Sequence, residues 1–269
     1  MGGQVGATAL IGNGQVHTWK AKADLATRDA QNGSALMANQ SVVAFANSII
    51  TDAVTPKSSN VQATTVAFHF AIDGSFVLNY GTPCSIPGDP RCDWANTSAS
   101  MFVTFNARTQ GSSPSAAQNF RSLLGGHQVS NGGQYVGTDS WVPVSDPNNG
   151  FFGYVGSTRG IFSAILPVNA SGVVSFRGDI QANASYTNHN PYPANIFSSL
   201  SVDFSNTALL AGVTAYDADG NDITADTEFE FESGTVVPKG MPTVVPEPST
   251  YAMLSLGLLA LGFARKRIT

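Results

Sequence analysis

Large apolar side chains in this chain alternate with small polar ones more often than they recur every third or fourth position. A period of two belongs to strands, and a period near 3.6 to helices. Ser100-Met101-Phe102-Val103-Thr104-Phe105-Asn106 carries the alternation cleanly, as does the stretch from Val173 to Ile180. Glu228-Phe229-Glu230-Phe231-Glu232 is strict, with acids on one face and aromatics on the other. Such a strand suits a solvated sheet edge kept from mispairing by its charge, although its three carboxylates also offer a cation-binding face. Val66 to Ile72 and Ser75 to Tyr80 flank Asp73-Gly74, which predicts a hairpin closed by a two-residue turn. Ser201 to Phe204 leads into a further β-rich stretch from Ala208 to Ala215. Residues 22–54 are rich in alanine, but Gly33 and many small polar residues interrupt any helical stripe, so strands are expected there as well. Phe120 to Leu124 reads as a short helix.

Many short strands separated by turns predict an all-β body, a β-sandwich of the jelly-roll kind, over residues 1–234. Composition supports this. Glycine (27) and proline (14) supply turns, and 269 residues suit one larger β domain. Only 12% of the residues are charged, about half the usual share, so the surface is wetted by Ser, Thr, Asn, Gln and Gly. That is the habit of many secreted β-proteins. The net charge is −5, and no Lys or Arg occurs between Gly178 and Pro238, so nucleic acid is not an expected partner. Cys84 and Cys92 enclose CSIPGDPRC, a short loop that one disulfide closes in an oxidising compartment.

Candidate chemistry in the body is sparse. Asp217, Asp219, Asn221 and Asp222 form the densest oxygen cluster, and alternate oxygens suit calcium. Gly220, however, is misplaced for a calcium-binding helix-loop-helix, and Asp-Gly or Gly-Asn at the tip of a hairpin accounts for the same residues. His17, His69, His127 and His189 are scattered, with none of the spacings that hold a metal. His69 alternates with Phe68 and Phe70 and reads as a strand residue with satisfied hydrogen bonds. No nucleophile elbow or phosphate loop is present, and glutamate first occurs at position 228. A glycosidase built on this body would have to use aspartates. Trp19, Trp94, Trp141, Tyr135, Tyr154 and Tyr192 are candidates either for a sugar-stacking surface or for packing.

The C-terminus is different. After a linker over residues 235–245, Pro246-Glu247-Pro248 is a stiff break, Ser249 to Ala264 is an uncharged apolar run, and Arg265-Lys266-Arg267 is a basic end. A helix begins naturally after Pro248, with Ser249 or Thr250 as its cap. The run spans roughly 24 Å at 1.5 Å per residue, nearly a hydrocarbon core. The basic end is expected to stay cytoplasmic. A soluble core helix is the competing reading, but this segment is apolar on every face. MGGQVGATAL has neither a basic start nor an apolar core, so a signal peptide is expected to have been trimmed or to lie upstream.

Residues 246–267 resemble the PEP-CTERM sorting signal of Gram-negative bacteria: motif, apolar helix and basic end in order. The resemblance implies a precursor held in the inner membrane, with exosortase as partner. It also implies cleavage near Pro246, Glu247 and Pro248, and release to the cell surface or extracellular matrix. Phe204 to Asn221 is also similar to the last two strands of other, uncharacterised exosortase-sorted β-proteins, a likeness that carries no known activity. The resulting expectation is a non-enzymatic, cofactor-free protein with a structural or adhesive role alongside exopolysaccharide. A secreted hydrolase acting on polysaccharide and a calcium-stabilised adhesin stay open as alternatives.

Overall fold

The computed structural model describes residues 2–10, 18–27, 41–80, 97–123, 126–146, 151–188 and 198–242. In chain order the strands are β1 (Gly2–Leu10), β2 (Thr18–Thr27), β3 (Ser41–Ser58), β4 (Thr65–Tyr80), β5 (Thr97–Thr109) and β6 (Gln118–Leu123). They continue as β7 (Gly126–Ser130), β8 (Gln134–Asp146), β9 (Phe151–Pro167), β10 (Val174–Asn188), β11 (Ser198–Tyr216) and β12 (Thr227–Phe231). Every pairing between these strands is antiparallel, and they form two six-stranded sheets. The first sheet runs β1-β2-β11-β4-β9-β8 and the second β12-β3-β10-β5-β6-β7. From β2 to β5 the chain changes sheet at every step, as it does again from β9 to β12. Neither sheet is therefore complete until the end of the body has folded.

The sheets meet through phenylalanine. Phe68, Phe70, Phe76, Phe162 and Phe204 of the first sheet are fully buried, as are Phe105, Phe120 and Phe176 of the second. Phe68 meets Phe176 and Phe70 meets Phe105, each with ring centroids 4.6 Å apart. The expected sandwich is thus present, and the alternation seen in the sequence is its inward face. In β5, Met101, Val103, Phe105 and Ala107 point in, and in β10 the even positions from Val174 to Ala184 do the same. β12 is an edge strand with Phe231 buried and Glu228 and Glu230 exposed, as its charge pattern predicts.

Two expectations need correction. Asp73-Gly74 makes no hairpin, because β4 runs straight through it, with Asp73 opposite Arg159 and Gly74 opposite Thr158. Asp73 instead binds Arg159 at 2.9 Å on the outer face. Gly74 is required by packing: a Cβ there would sit 2.3 Å from the Phe204 ring. The dipeptide signals a turn only where nothing else explains the glycine. Phe120 to Leu124 is also not a helix, since Gln118–Leu123 is strand β6, with Phe120 facing the core opposite Phe105.

Part of the expected linker belongs to the body. The N–H of Val213 donates to Pro238 O at 3.1 Å, and that of Gly240 donates to Val213 O at 2.7 Å. β2 stops pairing at Leu209, so this segment completes the exposed flank of β11 beyond it. Gly212 permits the approach, because a Cβ there would lie 2.2 Å from Gly240 O.

Gly74→Ala is expected to destabilise the body by about 1–3 kcal/mol, the usual result of overpacking a filled core. A urea midpoint equal to that of the parent would mean that the Phe204 ring does not rest on Gly74.

Candidate functional site

Phe68 and Phe70 point into the sandwich, so His69 between them must point out of it. It is nevertheless buried at 3% exposure, on the covered outer face of the first sheet. Its Nδ1 lies 2.7 Å from Ser163 Oγ and its Nε2 2.8 Å from Thr214 Oγ1. A neutral imidazole has one N–H and one lone pair, and a rotatable hydroxyl serves either, so the ring is satisfied without charge. Burial lowers its pKa to about 4, against a smaller opposing pull from Asp222. The sequence reading of a satisfied strand residue describes this site.

The oxygen cluster is a turn. Asp217 Oδ1 accepts the N–H groups of Asp219 at 2.9 Å and Asn221 at 2.8 Å, and its Oδ2 accepts Asn221 Nδ2 at 3.0 Å. Gly220 takes φ +81° at the tip. The bonds from the Asn221 side chain and backbone hold the Asp217 carboxyl below its ordinary range. Asp222 Oδ1 caps the N–H of Thr224 at 2.9 Å. Asp217, Asp219, Asn221 and Asp222 are brought together, but the bonds show turn formation as their work. Among the described residues, no group of three or more His, Cys, Asp or Glu is placed to hold a metal ion.

The aromatic candidates that are described pack inward. Tyr135 lies 4.4 Å from Phe120 and Trp141 lies 4.9 Å from Phe76, while Tyr154 packs on the same core. Room for Tyr135 and Trp141 comes from glycine: a Cβ on Gly137 would meet the Tyr135 hydroxyl, and one on Gly156 the Trp141 ring. The side chain of Trp19 is outside the described set, and so are Trp94, Tyr192, His17, His189, Cys84 and Cys92.

One polar row has no local signature along the chain. At the side of the sandwich where β7 and β8 are both edges, four polar side chains lie in a row. His127 Nδ1 is 2.6 Å from Asp139 Oδ2, the Thr158 hydroxyl donates to Asp139 Oδ1 at 2.8 Å, and Ser122 contacts Thr158. With the Thr158 proton directed at Asp139, Ser122 must donate to Thr158. Two of these bonds cross between the sheets, His127 to Asp139 and Ser122 to Thr158, and clasp that side of the sandwich. Nucleophilic catalysis needs the hydroxyl beside the imidazole. Here the carboxylate stands between them, so the imidazole contacts neither hydroxyl. Burial, aided by the Asp139 charge, raises the Tyr135 hydroxyl above its ordinary pKa.

Elsewhere, Lys22 holds the carboxylates of Asp203 at 2.9 Å and Asp24 at 3.5 Å on the outer face of the first sheet. This places two aspartates close together, with one ammonium between them.

The tail supplies the comparison with known proteins. The family described as PEP-CTERM protein-sorting motif matches residues 244–267. The chain is a PEP-CTERM sorting domain-containing protein. The match contains Pro246, Glu247 and Pro248, the apolar run, and Arg265, Lys266 and Arg267. A PEP-CTERM motif marks a protein sorted for export with exosortase as its processing partner. No curated protein matches the chain. The motif residues themselves lie outside the described set, which ends at Pro242. Among the described residues, no helix is long and apolar enough to cross a membrane.

Two predictions follow from the buried polar groups of this PEP-CTERM body. The unfolded chain takes up a proton on His69 near pH 6.5, whereas the folded chain refuses it until about pH 4. Stability is therefore fully present above pH 6.5 and falls as pH drops through that window, by on the order of 3 kcal/mol in all. His69→Gln cannot take the proton, so its urea midpoint should change less between pH 7 and pH 5 than that of the parent. Equal changes in the two chains would refute the assignment. For the clasp, Asp139→Ala strands the buried Thr158 hydroxyl and the His127 imidazole, and is expected to cost about 2–3 kcal/mol, while Asp139→Asn costs less. The two variants having the same midpoint as the parent would show that the clasp contributes nothing.

Proposed function

We propose that this protein is a surface or matrix component delivered by its tail. Residues 249–264 hold the precursor in the inner membrane, with Arg265, Lys266 and Arg267 on the cytoplasmic side. Exosortase cuts near Pro246-Glu247-Pro248, and the body is released to the cell surface or the extracellular matrix. There it acts structurally or adhesively, in association with exopolysaccharide. The observation that carries the proposal is the sorting motif over residues 244–267.

The body supports a structural role. Its strand order, with β2-β11-β4-β9 facing β3-β10-β5-β6, reads as a jelly roll, the double-sheet form common in lectin and capsid domains. Several of its polar side chains are engaged with one another: His69 with two hydroxyls, Asp139 in the clasp, and Asp52 with Ser233. They tie strands and sheets together.

The test is intact mass of the protein, tagged near its N-terminus and recovered from native cells and medium. The parent should appear outside the cell without the residues that follow the motif. Replacing Pro246, Glu247 and Pro248 with alanine should leave the full-length chain in the membrane. Release of that variant at the parent's mass would overturn the proposal.

A further inference from the structure

The outer face of the second sheet has a charge pattern that folding does not require. Arg177 of β10 and Arg108 of β5 are direct cross-strand partners. Like charges at such positions have Cβ atoms about 5 Å apart and destabilise the sheet. The chain has only 13 Lys and Arg in 269 residues, and its net charge is −5. Two of those few cations are thus placed side by side on one face.

Their surroundings leave them able to take an anion. Arg108 Nη1 donates to Ser112 O at 2.5 Å, one of its five N–H donors. Arg177 Nε is buried with no hydrogen-bond partner among the described residues, and lies 3.9 Å from Asp179 Oδ2. That carboxylate is itself 7% exposed and accepts from Asn106 Nδ2 at 2.6 Å. Solvent therefore sees the guanidinium groups more than it sees Asp179.

Amides and an apolar strip complete the face. Register aligns Asn47, Gln181, Thr104 and Arg121 across four strands. Arg121 is exposed, and its guanidinium is held 4.0 Å above the Phe102 ring, a cation–π contact that fixes its position. Three strands away on β3, Phe45 is 48% exposed, with Val43 and Ile49 exposed on the same strand. Amides bond hydroxyls, an exposed ring covers the apolar face of a sugar, and guanidinium groups bind carboxylate or sulfate in a bidentate way. The arginine pair and Arg121 are about 13 Å apart along the strands, a span that suits a polymer better than one sugar. The acids of β12 lie only against Val54 to Ser58 of β3, beyond this patch.

We infer that this face binds an acidic polysaccharide, with carboxylate or sulfate groups on Arg108, Arg177 and Arg121 and sugar rings against Phe45. The inference rests on the polysaccharide association proposed above and names the class of polymer and the face that holds it. Nucleic acid fits less well, since the whole molecule is acidic and the three cations stand among neutral amides.

The full-length chain in detergent micelles is assayed against polygalacturonate, dextran sulfate, neutral dextran and duplex DNA. It should bind polygalacturonate or dextran sulfate, more weakly as salt rises, and whichever binds tells carboxylate from sulfate. Arg108→Gln with Arg177→Gln should lower that affinity by about tenfold or more, with an unchanged or raised melting temperature. Should the double variant fail to fold, Arg121→Gln and Phe45→Ala, which leave the pair in place, should each still weaken binding. Binding of neither acidic polymer, equal binding of neutral dextran, or tighter binding of DNA overturns the inference. Because these substitutions leave residues 244–267 untouched, release of the variants should match the parent. Lost binding with normal release therefore tests this face, and failed release tests the sorting reading.

Discussion

Contact between the phenylalanine rings of two sheets is the constraint on which the body depends. Among the described residues there is no α-helix to cover either face, so each sheet is the other's broad apolar partner. Most of the rings pack tilted or edge-on, as at Phe76 with Phe204 and Phe105 with Phe162, while Phe70 stacks on Phe162. This fixes the sequence closely. Where a ring of one strand lies over another strand, that strand must carry glycine, and Gly74 under Phe204 and Gly156 under Trp141 are the result. Much of the glycine that composition assigns to turns is in this chain spent within strands.

A core made this way has open sides, and polar bonds close them. On the β7 and β8 side the His127, Asp139, Thr158 and Ser122 row links the sheets where both lack a further strand. Beyond the end of β8, the Gln118 side chain bonds both backbone groups of Ile165 and stands in for the missing neighbour. On β11 the same need is met by Thr224, whose hydroxyl accepts the N–H of Ala215, and then by residues 238–240. Low charge follows from the same logic. The bonds that hold the edges are short, neutral or locally paired, so few long charged side chains are needed.

The sequence made the strands legible wherever burial is one-sided. Met101 to Ala107 and Val174 to Ala184 alternate because one face meets the core and the other meets water. It misled where a residue served two readings. Asp73-Gly74 has the chemistry of a turn, and only the distant Phe204 shows why the glycine is there. Phe120 to Leu124 was too short for its period to settle between helix and strand. The clasp could not be read at all, since Ser122 and Thr158 are 36 positions apart and neither carries a local signature. Arg108 and Arg177 are likewise neighbours only through sheet register. The tail was legible because its logic is local: break, apolar run and basic end follow one another along the chain.

Body and tail are joined in a way that suits removal of one from the other. The last described segment runs along β11 near the centre of the first sheet, tied by Val213 to Pro238 and Gly240, with Val237 buried. The described segment ends at Pro242, four positions before Pro246. A cut near the motif would break none of the hydrogen bonds that close the flank of β11 and take nothing from the phenylalanine core. A protein that must fold while tethered and persist once free needs this separation, and placing the closing segment upstream of the sorting motif provides it.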